Sequence, residues 1–290
     1  MRRFKVGDAS EGVRIDTFLA DKYPQFSRSS LVALFTQRMV KVNGKITKPG
    51  WRLKPTDNVS VDDSLLKAGH APLELPVIYE DGDVIVISKP SGALTHSKGA
   101  LNQEATVASS LRDKVSLELT GNRAGIVHRL DRGTSGVMIV AKTSNALAYL
   151  QKQFASRKTD KTYMAVVEGV PEPAEALIDA PIARNPRKPQ AFQVDSLGKP
   201  AQTRYRLKKA FKKDEREYAV LELEPVTGRT HQIRVHLKHI GHPVVGDPAY
   251  GRGGDNLLLH AAKLVLVLPK GIKSEFKAPV PAHFKEFIDG

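Results

Sequence analysis

His128-Arg129-Leu130-Asp131-Arg132-Gly133-Thr134-Ser135-Gly136-Val137-Met138-Ile139-Val140-Ala141 sets the densest run of polar residues in the chain directly against an apolar one. Val137 to Ala141 reads as a buried strand, because a short apolar run rich in β-branched residues fits a sheet interior better than an amphipathic helix. The polar residues that feed it must therefore be satisfied at the strand's mouth. Asp131 lies between Arg129 and Arg132, and nearby positive charge favours the carboxylate form, which acts as nucleophile or base. Gly133 and Gly136 let a neighbouring backbone or a ligand come close. An isolated Asp-Arg pair is more often a structural network in a loop, so the chemical reading depends on what surrounds this one.

Outward from this stretch, Val77-Ile78-Tyr79-Glu80-Asp81-Gly82-Asp83-Val84-Ile85-Val86-Ile87 reads as strand, tight Asp-Gly turn and strand. Leu147, Leu150 and Phe154 mark a helix opened by Ser144-Asn145, and Tyr163, Ala165 and Val167 alternate with Thr162, Met164 and Val166 as a strand does. Residues 76–290 thus predict an α+β domain on a mixed, mainly antiparallel β-sheet. Residues 66–75, with Lys67-Ala68-Gly69-His70-Ala71-Pro72, lack any period and read as a linker. Residues 1–65 form a second unit: Ile15, Phe18 and Leu19 have helical spacing, and Leu31, Leu34 and Phe35 repeat it after Ser27-Arg28-Ser29-Ser30. Val40-Lys41-Val42-Asn43-Gly44-Lys45-Ile46 is an Asn-Gly hairpin, and Lys54-Pro55-Thr56-Asp57 turns the chain before a strand at Val59 and Val61. Two domains suit 290 residues.

The composition, 41% hydrophobic and 26% charged, excludes collagen-like, coiled-coil and disordered classes. Apolar runs such as Leu264 to Leu268 fall far short of the roughly 20 residues of a membrane span, and Met-Arg-Arg-Phe-Lys opens no signal peptide, so a cytoplasmic location is expected. With no Cys, thiolate nucleophiles, disulfides and Cys-ligated zinc are excluded. Lys and Arg number 45 against 31 Asp and Glu, and the net charge of +14 favours a polyanionic partner, nucleic acid first. Arg28, Arg38, Lys41, Lys45, Lys48, Arg52 and Lys54 flank the second helix and the hairpin of the N-terminal unit.

A second polar block is Thr227-Gly228-Arg229-Thr230-His231-Gln232-Ile233-Arg234-Val235-His236. In an extended chain, Arg229 and His231 would share one face with Ile233 and Val235, and Arg234 would share the other with Thr230, Gln232 and His236. His231, His236, His239 and His242 raise the question of a metal, but no acidic ligand recurs at a diagnostic spacing and no metal is expected. Neither a Walker loop nor a dinucleotide fingerprint is present, and Gly251-Arg252-Gly253-Gly254 reads as a surface loop.

Arg14-Ile15-Asp16-Thr17-Phe18-Leu19, Ser29-Ser30-Leu31 and Val40-Lys41-Val42-Asn43-Gly44-Lys45 resemble the ribosomal-protein-S-four-like (αL) RNA-binding domain. The resemblance implies that the second helix and its adjoining loop grip structured RNA, with Arg28, Ser29, Arg38 and Lys41 as candidate contacts. Nearly the whole chain resembles the RluA type of pseudouridine synthase. Five blocks in family order carry this: Val84 to Gly92, Val127 to Gly136, Lys161 to Gly169, Gly228 to His236, and Gly241-His242-Pro243-Val244-Val245-Gly246-Asp247-Pro248 with Leu258-Leu259-His260-Ala261. It implies an isomerase without cofactor that turns uridine into pseudouridine in large-subunit ribosomal RNA or, alternatively, transfer RNA; the sequence carries no sign of oligomeric state, and a monomer is the default expectation. By family position Asp131 is the nucleophile or base, Arg234 its ion-pair partner and Tyr163 the platform for the detached uracil. Arg129 would enter the gap left by a flipped-out uridine, while Lys89, Arg132 and Arg229 would hold phosphates. The competing reading is a non-catalytic RNA-binding or ribosome-assembly factor. A retired site is expected to lose at least one of Asp131, Tyr163 and Arg234, and all three are present.

Overall fold

Periodicity becomes packing most directly in the N-terminal part of the computed structural model, which describes every residue except Gln25, Ser27, 68–70 and 98–103. Here β1 (Arg2–Lys5), α1 (Ile15–Lys22), α2 (Arg28–Thr36), β2 (Val40–Val42), β3 (Lys45–Ile46) and β4 (Asn58–Val61) succeed one another. The four strands form an antiparallel sheet in the order β1-β4-β2-β3. Ile15, Leu19, Leu31 and Leu34, the residues at helical spacing, are fully buried together with Val40, Val59 and Val61. The β2–β3 turn places both Asn43 (φ 49°) and Gly44 (φ 79°) in the left-handed region, as the Asn-Gly pair requires.

The chain divides into two units, residues 1–72 with 96–110 and 120–123, and residues 73–95, 111–119 and 124–290. The segments 96–110 and 120–123, expected in the second unit, group instead with the first. Their described residues add no strand to the larger sheet, and Asn122 Nδ2 donates to the Ser97 carbonyl at 2.7 Å. In the expected linker, residues 66 and 67 end a short helix, α3 (Ser64–Lys67), and 68–70 lie outside the described residues. A single helical turn, α4 (Val107–Ser110), follows.

The second unit contains β5 (Val77–Glu80), β6 (Val84–Lys89), β7 (Ser135–Ala141), α5 (Ser144–Ala155), β8 (Asp160–Glu168), β9 (Glu175–Asp179), β10 (Ile182–Arg184) and β11 (Phe192–Val194). It continues with β12 (Gln202–Lys213), β13 (Arg216–Pro225), α6 (Gln232–His239), β14 (Leu259–Val267), β15 (Lys273–Lys277) and α7 (Ala282–Asp289). Nine strands make one sheet in the order β5-β6-β7-β14-β8-β13-β12-β9, with β15 beside β14, while β10 and β11 form a separate hairpin. Among the described residues only the β7–β14 pairing is parallel, so the sheet is mixed and mainly antiparallel and the fold is α+β. Every residue of β7 is buried, as its unbroken apolar run requires. Helix α5 is capped by Thr143, whose hydroxyl accepts from the Ala146 amide at 3.2 Å.

The second polar block is not extended. Gln232 Oε1 accepts from the Thr227 hydroxyl at 2.7 Å and the Arg229 amide at 3.0 Å, which folds the chain into a turn, and α6 starts at Gln232 behind His231 in the left-handed conformation (φ 57°, ψ 18°). The division of this block into alternating faces therefore fails. Among the described residues no helix is long and apolar enough to cross a membrane.

Candidate active site

Asp131 occupies the turn that leads into β7, and the residues after β6 lash that turn in place. The Gly92 amide donates to the Arg132 carbonyl (2.9 Å), Ser91 Oγ to the Gly133 carbonyl (2.8 Å) and Thr95 Oγ1 to the Leu130 carbonyl (2.9 Å). Gly136, at φ 121°, lies where β7 meets β14; a side chain there would be driven into the backbone of Ala261. The carboxylate is thus carried by a loop fixed on several sides, which is how a scaffold holds a reacting group.

The partner of Asp131 is itself held by a second carboxylate. Arg234, on α6, donates through Nε and Nη2 to the two oxygens of Asp247 at 2.7 and 2.8 Å, leaving Nη1 to donate to Asp131 Oδ2 at 3.2 Å. Asp247 is fully buried and also accepts from the amides of Ala249 (2.9 Å) and Tyr250 (3.1 Å), whereas the Asp131 side chain is 19% exposed. Asp247 is the anchor and Asp131 the open end. Burial acts to lower the Arg234 pKa, but the hydrogen bonds and charge of Asp247, then the charge of Asp131, outweigh it and the guanidinium pKa is raised. The Tyr250 ring lies 5.0 Å from the guanidinium carbon.

A cavity of about 590 Å³ opens over Asp131, walled by Arg129, Phe154, Tyr163, Arg229 and His231 among others. Tyr163 stands on β8 opposite Ala261 of β14 and Leu223 of β13. Burial, followed by the negative charge of Asp131, raises its pKa, so the phenol stays protonated at neutral pH. His231 Nε2 faces Asp131 Oδ2 at 3.9 Å and its Nδ1 lies 2.8 Å from the Tyr250 hydroxyl. Burial lowers the His231 pKa against the opposing pull of Asp131, which keeps the imidazole neutral at pH 7. His128 accepts a hydrogen bond from the Ile139 amide (3.1 Å) and stacks on Phe154 at 4.6 Å; burial, then the charge of Lys161, lowers it to about 3.

The structure gathers Asp131, Tyr163, Arg234, Arg129 and Arg229 around one cavity, with Arg129 exposed at its wall and Arg229 tied through Nε to the Pro200 carbonyl at 3.1 Å. Arg132 is exposed on the same loop. Lys89 corrects the sequence reading: it is completely buried, and its ammonium donates to the carbonyls of Pro90 (2.9 Å), Ala93 (2.8 Å) and Arg132 (3.2 Å). All three donors are spent on backbone, so Lys89 ties the Asp131 loop to β6 and holds no phosphate. Burial pulls it down to about 7, against the attraction of Asp131 and with repulsion from Arg132. Lys89→Met is expected to cost about 3 kcal/mol in urea unfolding, since it strands buried carbonyls.

In the first unit, Arg28 and Arg38 are exposed and Lys41 is half-buried; the Ser29 side chain lies outside what the structure describes. The histidine cluster has other employment: His236 is buried against Thr203 Oγ1 (2.8 Å) and the Ala180 carbonyl (2.9 Å), and His242 Nδ1 meets the Glu168 carbonyl at 2.9 Å. Asp247 is the residue that sequence reasoning passed over, although it stands in the quoted block ending Gly246-Asp247-Pro248.

Residues 83–239 match the RNA pseudouridylate synthase family and residues 13–59 the S4 domain. The chain is 38% identical over 306 aligned positions to ribosomal large subunit pseudouridine synthase D of Yersinia pestis, covering 98% of this chain and 92% of the relative. To the protein of that name in Pasteurella multocida it is 36% identical, over 96% and 91%. Among solved structures it is similar to human RNA pseudouridylate synthase domain containing 1, with a TM-score of 0.60 and 28% identity over 73% of this chain and 86% of that one. With a family match spanning the Asp131 loop, Tyr163 and Arg234, and relatives aligned almost end to end, the chain belongs to the RNA pseudouridylate synthases, a family of isomerases, and carries an S4 domain.

Proposed function

We propose that this synthase isomerises uridines of large-subunit ribosomal RNA, with Asp131 as the reacting carboxylate on a flipped-out nucleotide. The observation that carries the reading is the Asp247–Arg234–Asp131 chain, whose last two members line a cavity: a guanidinium gripped by buried Asp247 pairs with the carboxylate that borders the open space. The relatives' names supply the substrate class.

Isomerisation breaks the N1–C1′ glycosidic bond, turns the uracil and joins C5 to C1′, with loss of the C5 proton and gain of one at N1, so the product has the mass of the substrate. Attack by Asp131 on the sugar, attack on the base, and removal of a sugar proton to give a glycal each use that carboxylate, and Arg234 steadies its charge in all three. Tyr163, held as a neutral phenol, offers a flat wall against which the freed uracil stays while it turns. Extruding the nucleotide costs a few kcal/mol of stacking and pairing. In this reading Arg129, at the cavity wall, fills the gap, and Arg229 on the same wall and Arg132 on the Asp131 loop hold phosphates. The S4 domain adds Arg28, Arg38 and Lys41 as a grip on RNA structure.

The test is carbodiimide-dependent reverse-transcription mapping of total RNA from cells with and without the gene. Stops lost at defined large-subunit positions, and restored when purified protein is added to unmodified transcript, are expected. Stops lost only in transfer RNA would replace the substrate, and the absence of any lost stop or in vitro product would leave an RNA-binding factor.

A further inference from the structure

The chain has one tryptophan, Trp51, and it is half exposed, at 50%. Its surroundings in sequence are one-sided: Arg38 to Thr56 contains six Lys or Arg and no Asp or Glu, and Trp51 is the only aromatic residue in that span. Lys45, Lys48, Arg52 and Lys54 are all exposed.

The ring is displayed from a fixed backbone. Residues 49–53 run beside residues 12–16: the Ile15 amide donates to the Trp51 carbonyl (2.8 Å), the Asp16 amide to the Pro49 carbonyl (3.2 Å) and the Leu53 amide to the Val13 carbonyl (3.0 Å). The Trp51 amide closes a turn onto the Lys48 carbonyl at 3.0 Å, and Leu53, two residues on, is buried at 1%. Around this ribbon stand guanidinium groups whose positions are also set. Arg14 is paired through two nitrogens with Asp16 at 2.9 and 3.0 Å, and its Cζ lies 3.8 Å from where a side chain of Gly50 would begin. Arg28 reaches the same Asp16 at 3.7 Å, and Arg52, bridged to Arg14 across the ribbon, donates to the Gly12 carbonyl at 2.8 Å. The Asp16 side chain is buried, while those of Arg14 and Arg28 are 47% and 61% exposed, so one buried carboxylate holds two exposed cations, that of Arg14 against the ribbon that carries Trp51.

We propose that Trp51 is a stacking platform for an unpaired base of the RNA, with Arg14, Arg28 and Arg52 taking the adjoining phosphates. An exposed indole carried on a hydrogen-bonded ribbon, in a stretch with six Lys or Arg and no Asp or Glu, matches the two faces of a nucleotide, an apolar ring and an anion. A duplex buries its bases and an acidic peptide has no ring to cover the indole, so an unpaired nucleotide is the occupant that uses both halves. The inference deepens the proposed RNA-modifying function and rests on RNA being the ligand.

A single tryptophan makes the site its own reporter. The full-length protein is titrated with an unmodified RNA stem-loop carrying unpaired uridines while indole emission is followed and binding is scored separately by gel shift. Emission is expected to fall as the complex forms, and to fall far less with the blunt duplex of the same stem at equal occupancy. Trp51→Ala is expected to raise the stem-loop Kd by about 10-fold, and Trp51→Phe, which keeps a flat ring, to recover most of it, both variants melting like the parent. Unchanged emission at saturation, an unaltered Kd in Trp51→Ala, or equal quenching by polyglutamate overturns the proposal. Assaying product in the same samples separates the claims: quenching without pseudouridine refutes the proposed reaction alone, and pseudouridine without quenching refutes the stacking site alone.

Discussion

Asp131→Asn is expected to abolish pseudouridine formation, a loss on the order of 10⁴-fold or more, while RNA affinity stays within a few fold. The amide has the shape of the carboxylate but neither its charge nor its nucleophilicity. The surroundings survive the change, because Arg234 remains gripped by both oxygens of Asp247 at 2.7 and 2.8 Å and the loop keeps its bonds from Ser91, Gly92 and Thr95. Single-turnover assay by carbodiimide mapping and gel-shift affinity on the same preparation measure the two halves. Retained turnover would remove Asp131 from the reaction, and a collapse of binding would make it a structural residue.

Asp247→Asn is the second large effect and acts on folding and rate together. The wild-type carboxylate is fully buried and accepts two bonds from Arg234 and two from the backbone amides of Ala249 and Tyr250. The variant leaves a guanidinium 7% exposed with one fewer counter-charge and turns an amide NH₂ toward its donors. A loss of about 3–5 kcal/mol in stability is expected, read as a lower urea midpoint. The rate at saturating RNA should fall on the order of 10²-fold, since Arg234 Nη1 loses the rear anchor that aims it at Asp131. Arg234→Lys should reproduce the rate defect, because an ammonium does not form the fork that spans two carboxylates. A folded, fully active Asp247→Asn protein would show that the rear anchor is dispensable.

What was legible in the sequence follows from the range of the forces involved. The apolar runs Val84–Ile87 and Val137–Ala141 announce themselves because burial on both faces favours an unbroken row of apolar side chains. The Asn43-Gly44 hairpin is legible because few dipeptides tolerate two left-handed residues, whereas the turn between β12 and β13 uses Asp214 and Glu215 at φ 47° and 60° and gives no such sign. Gln232 misleads for a different reason: alternation in a row of polar residues looks extended until one side chain gathers Thr227 and Arg229 into a turn. Lys89 shows the limit for the site. A lysine in a basic protein reads as a phosphate contact, and only the three carbonyls that converge on its ammonium, one of them 43 positions away, show that it serves the fold. Asp247 was silent because the need for it arises in space, at the back of Arg234.

The position of β14 fixes when the site comes into being during synthesis. It is the strand that joins β7 to β8, and Ser135 meets His260, its hydrogen-bond partner at 2.9 Å, across 125 positions of chain. Closing so long a loop is entropically costly, and parallel pairing over that distance is slow to form. Until β14 emerges, a nascent chain that has already released Asp131, Tyr163 and Arg234 holds two half-sheets with an open seam, lacking both the strand that backs Gly136 and the Leu257 side chain that seats Gly133. The site is thereby closed only once Leu259–Val267 have been made, and the S4 domain at residues 13–59 leaves the ribosome well before that seam is filled.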